Sequence, residues 1–224
     1  PPPVPPSVAG VALMNEGKVT LPSGRTASLQ NASQPWSAKL LADGVLVFET
    51  RPGDRWPDDG AKSERDRSEI SGLTVPAQGP STVSYELMID GPRAFTADCQ
   101  YVLGQRHGKA DKADRRGEHP DLAFRLDRFG VPMLTVCGSA QQPLIDIPKS
   151  KTIWKSKDGP LALGKWYTLK FVTLAADKGH VDFYLDGKLV IAWDGPFGYV
   201  NALPDYWKMF VEYKAFEPNF YSTT

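Results

Sequence analysis

Apolar and polar residues alternate with a period of two along much of this chain. Between Ser81 and Ile89, the side chains of Val83, Tyr85, Leu87 and Ile89 take one side and polar residues the other, which predicts a half-buried strand closed by Asp90-Gly91-Pro92. Residues 45–51, 99–107, 122–126, 131–136, 167–174, 181–185 and 189–193 read the same way, separated by Gly, Pro or Asp. Asp186-Gly187 supplies the backbone of a tight turn between the last two, and residues 207–216 form a closing strand. No segment sustains a 3.6-residue apolar repeat. Short strands at this spacing predict an all-β fold, a two-sheet sandwich or jelly roll. Residues 1–10, PPPVPPSVAG, are too rich in proline for a central strand and read as an extended arm, leaving 11–224 as one domain. A sandwich of this kind can curve one sheet into a concave outer face lined by alternate polar side chains, and function is expected in that groove.

Composition narrows the function. The 224 residues carry 26 Lys and Arg against 26 Asp and Glu, without the bulk charge of a nucleic-acid or membrane-surface binder. No apolar run approaches the roughly 18 residues that span a bilayer. Cys99 and Cys137 allow at most one disulfide and exclude a four-thiolate zinc site. No charged-then-apolar leader precedes Pro1, as after removal of a signal segment, and Asn31-Ala32-Ser33 fits a glycosylation acceptor; together they lean towards a secreted or periplasmic protein.

Four patches hold polar residues that a strand's own stability does not require. In Arg51-Pro52-Gly53-Asp54-Arg55-Trp56 and Arg65-Asp66-Arg67-Ser68-Glu69, the residues Arg67 and Glu69 share a face, so the glutamate can orient the guanidinium towards an anion; a surface ion pair is the plainer alternative. In Gly104-Gln105-Arg106-His107-Gly108, Gln105 and His107 point the same way. They join an amide that can donate to a carboxylate with an imidazole that can take a proton near neutral pH. Tyr206 and Lys208 share a face opposite the apolar row Trp207, Met209 and Val211, and the ammonium favours the phenolate. Arg125 is a charge inside an apolar strand. His119 and His180 lack comparable neighbours in sequence and read as solvated.

Taken in order, these patches resemble the jelly-roll polysaccharide lyases, the group that includes heparin lyase I, the glucuronan lyases and the β-jelly-roll alginate lyases. FETRPGDRW followed by RSEISG, then VLGQRHG, HPDLAFRL, LGKWYTLKF, VDFYLDGKLV and DYWK, resemble blocks of that group from about residue 45 to 215. One block departs. The group closes with Tyr-x-Lys-x-Gly-x-Tyr, whereas Phe210 takes the Gly position here and the second tyrosine falls one residue late, at Tyr213. A β-bulge near Met209 would bring Tyr213 back to the groove; without one Tyr206 is the phenol beside Lys208.

The resemblance implies β-elimination on a uronic-acid polysaccharide, with glucuronan ahead of alginate and heparin-like chains. Arg67 and Gln105 would neutralise the sugar carboxylate, and His107 with Tyr206 or Tyr213 would move the proton. Arg51, Glu69, Arg125, Lys208 and Trp56 would bind substrate. No cofactor is required. Related enzymes sometimes hold a structural Ca²⁺, but no Asp-rich loop here is specific enough to place one. The expected partner is an acidic polysaccharide met by a monomer, with neither nucleic acid nor membrane. A non-catalytic carbohydrate-binding module on the same sandwich is the alternative. A glycoside hydrolase would call for two facing carboxylates, and these patches pair carboxylates with cations.

Overall fold

The computed structural model describes residues 10–14, 17–21, 23–51, 53–60, 65–90, 100–108, 120–139, 149–199, 205–214 and 222–223. The early strands are β1 (Val11–Ala12), β2 (Lys18–Thr20), β3 (Thr26–Asn31), β4 (Ala38–Leu40) and β5 (Leu46–Thr50), followed by a single 3₁₀ turn at Pro57–Asp59. The middle of the chain forms β6 (Arg65–Val75), β7 (Gly79–Met88), β8 (Gln100–His107), β9 (Leu122–Leu126), β10 (Pro132–Val136), β11 (Gly138–Ser139) and β12 (Lys151–Lys155). The rest is β13 (Trp166–Leu185), β14 (Lys188–Tyr199), β15 (Asp205–Lys214) and β16 (Ser222–Thr223). No helix among the described residues is long and apolar enough to cross a membrane.

The expected all-β sandwich is what forms. A large sheet runs β12-β10-β9-β8-β15-β6-β3-β2, a second runs β11-β14-β13-β7, and a third joins β1, β4, β5 and β16. Side chains from the first two sheets meet in one core. Phe171 and Phe183 of β13 stack at 4.9 Å and reach Phe124 of β9 and Trp207 of β15 across it. Alternation then puts Gln105, Lys208 and their neighbours on the opposite face of the large sheet, away from that core.

The period-two reading places β7 and β9 closely, and the Asp186-Gly187 turn has the positive φ values, 50° and 76°, that a tight hairpin needs. The two strands read at 167–174 and 181–185 both fall within β13. About twenty residues at roughly 3.3 Å each would span more than 60 Å, yet the Asp186 amide donates to the Thr168 carbonyl at 2.9 Å and Lys170 lies over the Tyr184 ring. β13 therefore doubles back on itself, its first half against β7 and its second against β14.

One expectation is corrected. Asn31 cannot serve as a glycan acceptor in this fold, because its side chain is 0% exposed, donates to the Leu13 carbonyl and accepts from the Ser33 amide. Cys137 is buried, and its sulfur accepts from the Tyr199 hydroxyl at 3.3 Å. Cys99, His119 and the proline-rich arm through residue 9 lie outside the described residues.

Candidate active site

β15 lies between β8 and β6, and this places the sequence motifs side by side. Lys208 sits opposite Gln105 and Tyr206 opposite His107 in the β15–β8 ladder. On the other side, β6 brings Arg67 and Glu69, and β3 sets Gln30 opposite Glu69. Glu69 Oε1 accepts from Arg67 Nη1 at 3.0 Å and from Lys208 Nζ at 2.9 Å. Gln30 Oε1 accepts from the same two cations, at 3.3 Å and 2.9 Å. Arg67 and Gln105 are each 3% exposed and Lys208 6%, so they form a floor, with His107, Tyr206 and Gln30 half-buried above it. A buried cation is costly unless paired, and one carboxylate with one amide oxygen holds two cations here.

Arg67 is fixed from further sides. Its Nε lies 3.2 Å from Asp59, in the 3₁₀ turn, and its guanidinium is 5.4 Å from the Trp56 ring. Glu69 pairs with Arg67 from 1% exposure, so its carboxylate faces the two cations and is shut off from solvent.

The two half-buried rings suit proton transfer. The His107 and Tyr206 rings stack at 5.6 Å with 17° between planes, and Lys208 Nζ is 6.0 Å from the Tyr206 ring. His107 Nδ1 is 2.7 Å from the Gly108 carbonyl, which can only accept, so Nδ1 carries a hydrogen and the neutral ring would hold its lone pair on Nε2.

The remaining candidates spread outward. Arg125 lies on the polar face of β9, opposite Val102, and its Nε donates to Thr135 Oγ1 at 3.2 Å. It stands two strands from β15, about 10 Å away at the usual strand spacing. Arg51 belongs to a different group: Nε lies 2.6 Å from Glu49, and the guanidinium covers Trp36 at 4.0 Å. Beside it Asp54 accepts from the Trp36 indole and the Arg51 amide, and burial pushes its carboxyl up against those contacts.

The closing strand answers the tyrosine question only in register. β15 carries one more residue than β8 between Met209 and Glu212, yet it stays in step with β6 there, with position 212 opposite Arg67 and position 213 opposite Asp66 and the core residue Tyr101. The Tyr213 side chain lies outside the described residues. Trp207, in the apolar row of β15, is a core residue. His180 is not merely solvated: its ring bridges Asp194 at 2.7 Å and Asp182 at 2.9 Å on the outer sheet, and these bonds, Asp194's first, raise its pKa.

Among the described residues no group of three or more His, Cys, Asp or Glu side chains could hold a metal ion. Gln30 is the site residue that the sequence reading missed. Its strand, TASLQN, is short and mostly polar, and the partner that gives it meaning is Lys208, far along the chain.

The polysaccharide lyase family model matches residues 36–209, from just ahead of β4 to within β15. The chain belongs to the polysaccharide lyase family. It is a lyase acting on polysaccharide, with Arg67, Gln105, His107 and Lys208 inside the matched stretch and Gln30 outside it. No curated protein matches the sequence. Among solved structures, the lyase is similar to an endo-β-1,4-glucuronan lyase from the fungus Trichoderma reesei, with a TM-score of 0.62 at 9% identity over 97% of this chain and 92% of that one. It is also similar to an alginate lyase from Pseudomonas aeruginosa, with a TM-score of 0.56 at 13% identity over 88% and 94%. At such identities these likenesses speak for the fold alone.

Proposed function

We propose that this lyase cleaves a polyuronate by β-elimination, with glucuronan as its first substrate and alginate next. The observation that carries the reading is the Arg67–Lys208–Gln105 floor beneath the stacked His107 and Tyr206 rings. The hydrogen on C5 of a uronate is too weakly acidic for an imidazole or phenol while the adjacent carboxylate keeps its full charge. Donors and cations under that carboxylate lower the barrier by meeting the charge that develops on it. His107 Nε2 takes the C5 proton, the C5–H electron pair becomes the C4–C5 double bond, and the C4–O4 bond breaks. Tyr206, its phenol beside the Lys208 ammonium, returns a proton to the departing O4. A new unsaturated uronate end and a new hydroxyl end result. Arg125, two strands away, is suited to the carboxylate of a sugar further along the chain.

The charge balance favours an unsulfated polymer. Arg67, Lys208 and Arg125 face Glu69 and Asp59, a small positive excess suited to one carboxylate per sugar but not to several added sulfates. A polymer of this kind is met outside the cytoplasm, and we extend the proposal to a secreted or periplasmic enzyme.

The test is incubation with glucuronan, alginate and heparin, following the ultraviolet absorbance of the new double bond. Glucuronan should give the fastest rise, and His107→Ala should lower the rate by at least about 10²-fold while remaining folded. Absence of signal on every polymer, or a His107→Ala variant near the normal rate, would overturn the mechanism.

A further inference from the structure

The residue between Gln105 and His107 faces the other way. Strand alternation turns Arg106 into the core, where it is 1% exposed and where an apolar side chain would ordinarily sit. Its guanidinium is held on several sides. Nη1 pairs with Asp121, and Nη2 lies 2.6 Å from Asp205. Nη2 also donates to the carbonyls of Pro76 at 2.6 Å and Ala77 at 2.9 Å, and Phe197 lies under the group at 5.1 Å. Both carboxylates are buried, and burial pushes Asp205 up even against the pull of Arg106 and its hydrogen bond with Asp121.

The partners come from distinct places. Pro76 and Ala77 link β6 to β7, Asp121 leads into β9, Asp205 opens β15, and Phe197 belongs to β14 of the second sheet. One side chain therefore ties both strands that flank the candidate site to the layer beneath. Arg106 directly precedes His107, and Asp205 directly precedes Tyr206. The Arg106–Asp205 pair on the core side thus lies under the His107–Tyr206 stack on the polar side. A rotation or slip of β8 against β15 that would separate the two rings would also pull this buried pair apart.

We propose that Arg106, clamped between Asp121 and Asp205, is a positioning residue that sets the spacing and tilt of the His107 and Tyr206 rings. The proposal rests on the reading of those rings as the proton-handling pair. Its chemistry is specific: a guanidinium can bind two carboxylates and two carbonyls in one plane, which no ammonium or apolar side chain can do.

The experiment compares Arg106→Met with the triple variant Arg106→Met, Asp121→Asn, Asp205→Asn. The single variant leaves two carboxyls facing each other without their cation and is expected to lose stability; the triple variant removes all of the buried charge and is expected to regain it. Both are assayed on glucuronan. The proposal expects the triple variant to melt within a few degrees of the wild type while its kcat stays at least tenfold low, with KM within twofold. It also expects the His107 ring signals in a ¹H–¹⁵N spectrum to move. A triple variant that recovers both melting temperature and kcat would make Arg106 a charge-balancing core residue and nothing more, and would overturn the proposal. His107→Ala is run alongside. If it alone keeps near-normal activity, the proton-transfer reading fails, and unmoved ring signals in the triple variant would then separately refute the positioning role.

Discussion

Gln30→Glu should push stability and catalysis in opposite directions. The amide oxygen of Gln30 sits 2.9 Å from Lys208 Nζ and 3.3 Å from Arg67 Nη1, so a carboxylate there gains two cationic partners. At about 4 Å and an effective dielectric of about 20, each attraction is worth roughly 4 kcal/mol before losses. Repulsion from Glu69 and desolvation of the half-buried group offset most of this, leaving a net gain of about 1 kcal/mol, or roughly 2 to 4 °C in melting temperature for a chain of this size. A substrate carboxylate brought over the same floor meets the added charge. At about 6 Å that repulsion is roughly 1.5 to 3 kcal/mol for an effective dielectric of 20 to 40, which lowers kcat/KM about 10- to 100-fold. The assay is thermal melting alongside initial rates on glucuronan at low and high salt, because screening should shrink the kinetic penalty in an open site. Gln30→Leu serves as the control. It removes the oxygen without adding charge and should lower stability and rate together. A Gln30→Glu enzyme with kcat/KM within twofold of the wild type would mean that no sugar carboxylate approaches the Arg67–Lys208–Gln30 cluster.

Three further outcomes are expected. His180 has a raised pKa in the folded chain because of Asp194 and Asp182, so its contribution is fully present below about pH 6.5 and is lost as pH rises through the raised value; His180→Asn should melt below the wild type at pH 5.5 and match it at high pH, and a constant difference would contradict the bridge. Gly104→Ala should destabilise by about 1 to 3 kcal/mol, because a Cβ there collides with the Tyr85 hydroxyl; Tyr85→Phe in the same chain should recover part of the lost melting temperature, and no recovery would place the strain elsewhere. Expression in a glycosylating secretory host should leave Asn31 bare by intact mass, since its amide is already used inside the fold; a glycan on Asn31 would contradict that burial.

The polar and apolar pattern revealed most of the frame because strands with one face in a core must alternate, as β7 does along its length, and because the Asp186-Gly187 turn marks its hairpin by type. It failed where register depends on an extra residue. In β8, Leu103 and Gly104 both turn inward, Leu103 into the core cluster and Gly104 against Tyr85, a bulge that period-two reading cannot see. A regular two-residue hairpin would set His180 opposite Trp193; an extra residue between Phe183 and Tyr184 and their partners moves it to Asp194. Motif order, not local pattern, suggested that Gln105, His107, Tyr206 and Lys208 belong together; their pairing across β8 and β15 is seen only in the fold. Gln30 and the partners of Arg106 were hidden for a further reason. Their meaning lies wholly in contacts between strands distant in sequence, which no window along the chain contains.

The place of β15 has a consequence for how this enzyme comes into being. β6 and β8 never touch as ladder partners; the segment Asp205–Lys214 is inserted between them. Until that insertion both strands offer bare edges ready to join other chains, and neither Tyr206 nor Lys208 has reached the place where it would act. Closure depends on long-range pairing and is slow by nature. Activity should therefore arise late and all at once during refolding, and a chain stopped short of this segment should aggregate rather than work at partial strength.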